Sequence, residues 1–315
     1  MLHLRLITPA EQTEDAVRLI RGTVGTTHLC VLSGAARDPV GDVVLCDVAR
    51  EAADDLLSGL QRLGLDTTGS IAVENVDLSL SERADRAEEE APGEGADAVL
   101  WEHLTEATHE ESTLSVTYLS FLTLATMIAA CGVVLDNAVL IVGAMAVGPE
   151  FGPLAGVSTA TVQRRPRLAM RSLTALLVGF AVAMALTVGF SLFMDAVGLF
   201  TKEQLKGERP QTGFVYAPDW FSFVVAVLAG AAGTLSLTSA KSGALVGVAI
   251  SVTTVPAAAN AAVALSYGDT VQTWGSTEQL LLNLLGITLA GTLTLLAQKQ
   301  LWRKQHARLR RRAAA

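Results

Sequence analysis

The chain offers few handholds for catalysis or metal chemistry. Its three cysteines, Cys30, Cys46 and Cys131, show no spacing suited to a metal-binding pair. Cys30 and Cys46 fall in predicted strands, where a small buried apolar role is expected. No H-E-x-x-H pair, G-x-S-x-G elbow or two-carboxylate cluster lies in the apolar segments, and no glycine-rich phosphate loop follows a strand. His103 and His109 stand six apart, a spacing that places them on different faces of a helix. No enzyme activity, cofactor or metal is therefore expected. The opening MLHLRLITPAEQ has neither the apolar core nor the cleavage pattern of a signal peptide, so none is expected.

Charge is unevenly placed. Residues 1–112 carry 23 Asp and Glu against 8 Lys and Arg, whereas residues 113–315 carry 8 against 15. A basic footprint for nucleic acid is missing from the front, and the basic residues at the back flank apolar runs, so no nucleic-acid partner is expected.

The first eighty residues alternate strand-like and helix-like patterns. LHLRLI, THLCVLS around Cys30, VVLCDV (43–48) and SIAVENVDLS (70–79) read as strands. One helix is expected with Thr13 as its cap, and a second from Arg50 to Leu63, with Ala53, Leu56, Leu57, Leu60 and Leu63 on one face. The order β-α-β-β-α-β predicts a ferredoxin-like α+β domain over 1–80. Residues 81–112 read as an acidic linker, frayed-helical at its start, followed by an amphipathic helix from Val99 to Glu111.

Residues 113–298 are predicted to form six transmembrane helices, at about 114–135, 137–161, 168–197, 219–238, 241–267 and 278–298. With a cytoplasmic N-terminus, twelve basic residues flank the spans on the inner side: Arg164, Arg165, Arg167, Arg171, Lys241 and seven in the tail 299–315. Lys202, Lys206 and Arg209 alone lie outside, which predicts cytoplasmic termini. The tail is expected to anchor on anionic lipid or to dock on the acidic domain.

Two of the spans contain helix breakers. VGAMAVGPEFGPLAG (142–156) brings Gly143, Gly148, Gly152, Pro149 and Pro153 into one span, and LVGVAISVTTVPAAAN (245–260) brings Pro256 into another. A proline removes an amide donor and crowds the preceding turn, and in lipid the freed groups must face protein, water or solute. The two stretches align weakly, with Gly143 against Gly247 and Gly152 against Pro256. That alignment predicts a three-plus-three inverted repeat with a solute site at the broken helices; close packing of small residues is the competing explanation. Glu150 is expected near mid-span, where a carboxylate costs ~2.5–3.5 kcal/mol on insertion scales. It is expected to bind a proton or cation, or to stand at a watery vestibule. Thr253, Thr254 and Asn260 add uncharged polar groups at similar depth.

The run Gly143-Ala144-Met145-Ala146-Val147-Gly148-Pro149-Glu150-Phe151-Gly152-Pro153 resembles G-A-M-L-[IV]-[AS]-P-L-x-G-P. Val246 to Ala257 resembles V-G-V-A-I-A-[VT]-x-L-x-P-P. Both are motifs of an uncharacterised prokaryotic membrane family known as domain of unknown function 389. The resemblance covers about residues 110–300 and extends to the soluble domain of a long-tailed subgroup. It implies a multi-pass protein of a prokaryotic plasma membrane and no substrate. Glu150 departs from the family's apolar residue, and Ala257 from its second proline.

Two functions follow as expectations. One is a secondary transporter or channel-like permease for a small solute or ion, regulated by the cytoplasmic domain. The other is a membrane-anchored sensor or assembly platform. Membrane lipid is the expected surrounding partner, and a homo-oligomer is expected because short spans with small-residue faces leave lateral surface to cover.

Overall fold

The computed structural model describes residues 1–76, 78–91, 93, 98–216, 220–239 and 254–313, the side chains of 303–313 excepted. The chain divides into two compact units, one built chiefly on Met1–Glu102, the other on His103–Leu237 and Ser242–Lys299.

In the first unit the elements run β1 (Leu2–Thr8), α1 (Ala10–Gly22), β2 (Thr26–Arg37), β3 (Val40–Val48), α2 (Arg50–Arg62), a short α3 (Leu65–Thr68) and β4 (Ser70–Asn75). The four strands form an antiparallel sheet in the order β2-β3-β1-β4. Alternation along β1 and β3 sends Leu2, Leu4, Leu6, Val44, Cys46 and Val48 into a core shared with Ala16, Ile20, Ala53, Leu56 and Leu60 of α1 and α2. Burying these side chains is the main force holding the unit together.

Several local expectations are corrected. Thr13 is not a cap: α1 starts at Ala10, and the Thr13 hydroxyl is buried among Thr8 Oγ1 (2.7 Å), the Pro9 carbonyl and Asp42 (2.8 Å). Cys30 is exposed, because β2 is an edge strand and Cys30 pairs with Leu45 on the face opposite the helices. The fourth strand stops at Asn75. Within the expected linker, α4 (Glu82–Glu90) is regular, capped by Ser81 Oγ accepting from Ala84 N, with Ala84 and Ala87 buried.

The second unit holds α5 (Trp101–Glu111), α6 (Val116–Val134), α7 (Ala138–Val147), α8 (Phe151–Gln163), α9 (Pro166–Ala196), α10 (Lys202–Lys206), α11 (Trp220–Thr238), α12 (Val255–Ser266) and α13 (Thr270–Ala313). Among the described residues, α6, α9, α11 and the Thr270–Trp302 part of α13 have the length and apolarity to cross a bilayer. The α7–α8 pair, bent by 54°, passes the same test as one broken span. Of the segment expected at 241–267, only the second half is described, as α12; residues 240–253, Thr253 included, lie outside the described residues. The last helix begins at Thr270 and runs without interruption through the basic tail to Ala313.

Outward faces carry large apolar side chains. Leu281, Leu285, Leu289 and Leu293 recur every fourth position along α13, with Leu285 63% exposed. Such a stripe is unfavourable in water and at home in hydrocarbon. By contrast α12 is buried at every residue from Val255 to Ala264, and its alanines admit close contact with α6 and α9. The chain is thus mostly helical, with several membrane-length apolar helices and a small N-terminal antiparallel sheet.

Candidate solute site at the helix breaks

The break in the first motif is made by three residues. α7 ends at Val147, Gly148 turns extended (φ −66°, ψ 129°), and α8 starts after Glu150. Pro149 sits in the gap and lacks the amide that would continue the α7 ladder. Pro153 was expected to break the span, yet it occupies the third position of α8, where its missing amide has no helical acceptor. Pro256 likewise lies in the first turn of α12 and begins that helix. These two prolines are helix starters, and the interruption itself rests on Gly148 and Pro149.

Glu150 lies between the two helix starts and is 1% exposed. Its Oε1 accepts a hydrogen bond of 2.7 Å from the hydroxyl of Thr254, the residue just before α12. That start supplies partial positive charge from its unsatisfied amides, which favours a nearby carboxylate. The approach depends on Gly148: a methyl group there would collide with Glu150 Oε2 and stand 3.0 Å from Val255 Cγ2. Gly152 has an equivalent role near the start of α8, where a methyl group would lie 2.5 Å from Glu111 Cβ and overlap the Glu111 carboxylate.

A cavity of about 510 Å³ runs from the α5–α6 connection to the break. Glu110, Glu111, Tyr118, Phe121, Phe151 and Gly152 contribute to its wall, together with Gly148, Pro149 and hydroxyl residues of the connection. Glu111 responds to its place there: burial, seconded by the neighbouring Glu110 charge, raises its pKa above the usual carboxylate range. Tyr118 is 6% exposed, and its hydroxyl has no hydrogen-bond partner among the described residues.

Further along α12 a second polar cluster forms. Arg209, 6% exposed, donates from Nη1 to Asn260 Oδ1 at 2.8 Å and from Nη2 to Gln272 Oε1 at 2.6 Å, with its guanidinium 4.6 Å from the centre of the Tyr216 ring. Asn260 in turn donates to Ser276 Oγ at 2.7 Å. Asn260 lies six residues beyond Thr254, roughly 9 Å along the helix axis. The loop carrying Arg209 is ordered by Asp136, which accepts hydrogen bonds from the amides of Gln211 (3.1 Å) and Thr212 (2.9 Å) and from the Thr212 hydroxyl. Asp195 accepts a hydrogen bond from the Tyr267 hydroxyl at 3.1 Å.

Of the expected site residues, the fold gathers Gly148, Pro149, Glu150, Gly152 and Thr254 at the break, with Pro153 and Pro256 in the first turns of the helices that follow. Asn260 belongs to the Arg209 cluster. Gly143 is exposed on α7 with open space around it, apart from the break. Sequence reading missed Glu111, Tyr118 and Arg209. Arg209 stands in a polar loop and folds inward, and nothing in its neighbourhood in the chain marks that.

Comparison with known proteins agrees with the motifs. The chain is 25% identical over 227 residues to an uncharacterised protein of the archaeon Methanocaldococcus jannaschii, covering 70% of this chain and 68% of that one. No solved structure matches. Residues 145–289, which include the Glu150 break, α9, α11, α12 and most of the apolar stretch of α13, match the model of the family described as domain of unknown function (DUF389).

Proposed function

We propose that this protein is a permease for a small solute or ion, whose path passes the Glu150–Thr254 contact. The observation that carries this reading is the contact itself. Glu150 and Thr254 are 104 residues apart. The same offset separates the helix starts Phe151 and Val255, and it sets Gly152 against Pro256 in the sequence alignment. Equivalent residues of two units related by a two-fold axis meet where they approach that axis, so an inverted three-plus-three repeat with six spans accounts for the pairing. Broken backbone is tolerated at membrane depth where it lines a cavity, and here one reaches Gly148, Pro149 and Gly152. A sensor or platform needs no such space.

On this reading the N-terminal unit is a ferredoxin-like regulatory domain, for which the strand order β2-β3-β1-β4 is support. Both termini face the cytoplasm, and the protein works as a homo-oligomer. Flux measured in liposomes reconstituted with the full chain is the test. The expected result is flux of a small solute that Glu150→Gln reduces at least tenfold while the protein stays folded. Absence of flux for cations, anions and neutral solutes alike would leave the platform as the better account.

A further inference from the structure

The polar cluster beneath Arg209 continues into the interior. On α13, Gln272, Ser276, Gln279 and Asn283 recur at spacings of four, three and four, so they share one face. Ser276, Gln279 and Asn283 are at most 3% exposed, whereas Leu281, Leu285 and Leu289 of the same helix are exposed. Asn260 donates to Ser276, and Gln279 Nε2 to Asn283 Oδ1 at 3.3 Å. The short connection between α12 and α13 sets these helices antiparallel. Asn283 lies about 10 Å along α13 from Ser276, and Thr254 about 9 Å along α12 from Asn260, so the stripe descends to the depth of the Glu150–Thr254 contact. A contact with α8 agrees: Ser158 Oγ donates to the Thr288 carbonyl at 3.1 Å, and Lys299 further along α13 reaches the Val162 carbonyl further along α8. Seven residues back along each helix, Phe151 at the break stands level with Leu281, between Gln279 and Asn283. Polar side chains are expensive at this depth, and those that face the bundle interior mark solute paths. Adhesion between helices is the competing account. Adhesive groups are normally satisfied, yet Gln279 Oε1 is buried without a hydrogen-bond partner among the described residues.

The stripe is covered at its Asn260 end. Residues 200–216 form a strap folded onto the bundle, with Phe200, Leu205 and Val215 buried. Asp136 holds its amides at Gln211 and Thr212, Gln272 Nε2 donates to the Leu205 carbonyl at 3.3 Å, and the Tyr216 carbonyl lies so close to Gly275 that a methyl group there would collide with it. Lys202, Glu203, Lys206 and Glu208 of the strap are exposed, and Arg209 alone among its charges turns inward to Asn260 and Gln272. A guanidinium held by neutral amide oxygens regains its hydration when it withdraws, so the latch is releasable. The cavity lies at the opposite end. α6 carries Tyr118 in the cavity wall and leads to Asp136 beneath the strap, 18 residues on and about 27 Å away. Open space therefore reaches Gly148, Pro149 and Gly152 from the α5–α6 end, while the strap closes the other.

On the reading of the break as a solute path, we propose that the strap is a gate at the end remote from the cavity, latched by Arg209, and that Asn260, Ser276, Gln279 and Asn283 line the path it covers. The fold described above is then the state closed at the strap. Ser276→Cys reports on the gate. In the purified full chain in detergent, its modification by a charged methanethiosulfonate is followed by mass spectrometry, which separates it from the native cysteines. It is expected to react slowly while Arg209 is present and at least tenfold faster when Arg209→Gln is added, which removes the guanidinium. Ala183→Cys, at a fully buried position of α9, is expected to stay unreactive with and without Arg209→Gln. Equal rates at Ser276→Cys in the two backgrounds would overturn the gate. So would a parallel gain at Ala183→Cys, which marks general loosening of the bundle. Should Arg209→Gln fail to fold, Asp136→Ala, which frees the strap amides, decides by the same comparison. Liposome flux separates the two claims: faster labelling of Ser276→Cys without flux of any solute refutes the permease and keeps the strap as a releasable cover. Flux of a solute with Ser276→Cys equally protected in both backgrounds keeps the permease and refutes the gate.

Discussion

Two glycines of one motif should respond to the same substitution with opposite sign. A methyl group on Gly148 meets Glu150 Oε2 and stands 3.0 Å from Val255 Cγ2 and 3.2 Å from Glu150 Cδ. Val255 is itself fully buried and has little room to give, so the carboxylate is what moves. Moving it breaks the 2.7 Å hydrogen bond from Thr254. Overpacking of this kind costs about 1–3 kcal/mol. Gly143 is different: no atom lies within 4 Å of a methyl group built there, and it sits inside α7. Replacing a helical glycine by alanine stabilises by about 0.5–1 kcal/mol. The two alanine variants are therefore expected to differ by about 1.5–4 kcal/mol, read as apparent melting temperatures of the purified full chain in one detergent. Gly148→Ala should melt below the wild type, and Gly143→Ala level with it or above. Indistinguishable melting of the two would refute the placement of Glu150 against Gly148.

Thr254→Val keeps the shape and removes the donor to a buried carboxylate, so a loss of about 1–3 kcal/mol is expected in the same melting assay, with Thr254→Ser close to wild type. Arg209→Met leaves the buried Asn260 carbonyl without its donor and takes from the half-buried Gln272 carbonyl the shorter of its two hydrogen bonds; a drop of comparable size is expected, and a melting temperature equal to that of the wild type would show that the cluster is not structural. In the N-terminal unit, Asp47 titrates low: burial opposes its charge, but bonds and charge interactions with His3 (2.6 Å) and His28 (2.7 Å) outweigh that opposition. Asp42 also titrates low, through the Gly34 amide and then Thr13. Because both folded-state values lie below the unfolded one, their stabilisation is complete above the ordinary carboxylate range and is lost as pH falls through the folded-state values. Chemical denaturation of the chain, followed by a probe in this unit between about pH 6 and about pH 2.5, is expected to show that loss, reduced in His3→Ala. Thiol labelling should separate the cysteines: Cys30 is exposed and reacts at neutral pH. Cys46, with its pKa pushed up to about 12 by burial and the Asp47 charge, reacts only on unfolding.

The sequence by itself determined what depends on local pattern. Alternation placed the four strands, because in a strand facing a core every second side chain must be apolar; it misjudged β4, whose exposed end lacks a core to alternate against. Runs of twenty or more apolar residues identified the long helices, since hydrocarbon accepts little else, and the Gly-Pro cluster marked the first break. Capping was less legible. Thr13 has the right chemistry for a cap, but its hydroxyl found buried partners in Thr8 and Asp42, and Pro9 began the helix instead.

Only the tertiary structure decided which polar residues share a site. Glu150 and Thr254 meet across 104 residues, Glu111 leans on Gly152 from a different helix, and Arg209 leaves a polar loop to reach Asn260. Each pairing is set by where helices cross, and helix crossing depends on shape: a missing methyl group at Gly148 or Gly152 lets a carboxylate approach that any larger residue would exclude. Periodicity reports which face of a helix is apolar. It carries no information about which distant helix fills the notch that a glycine leaves.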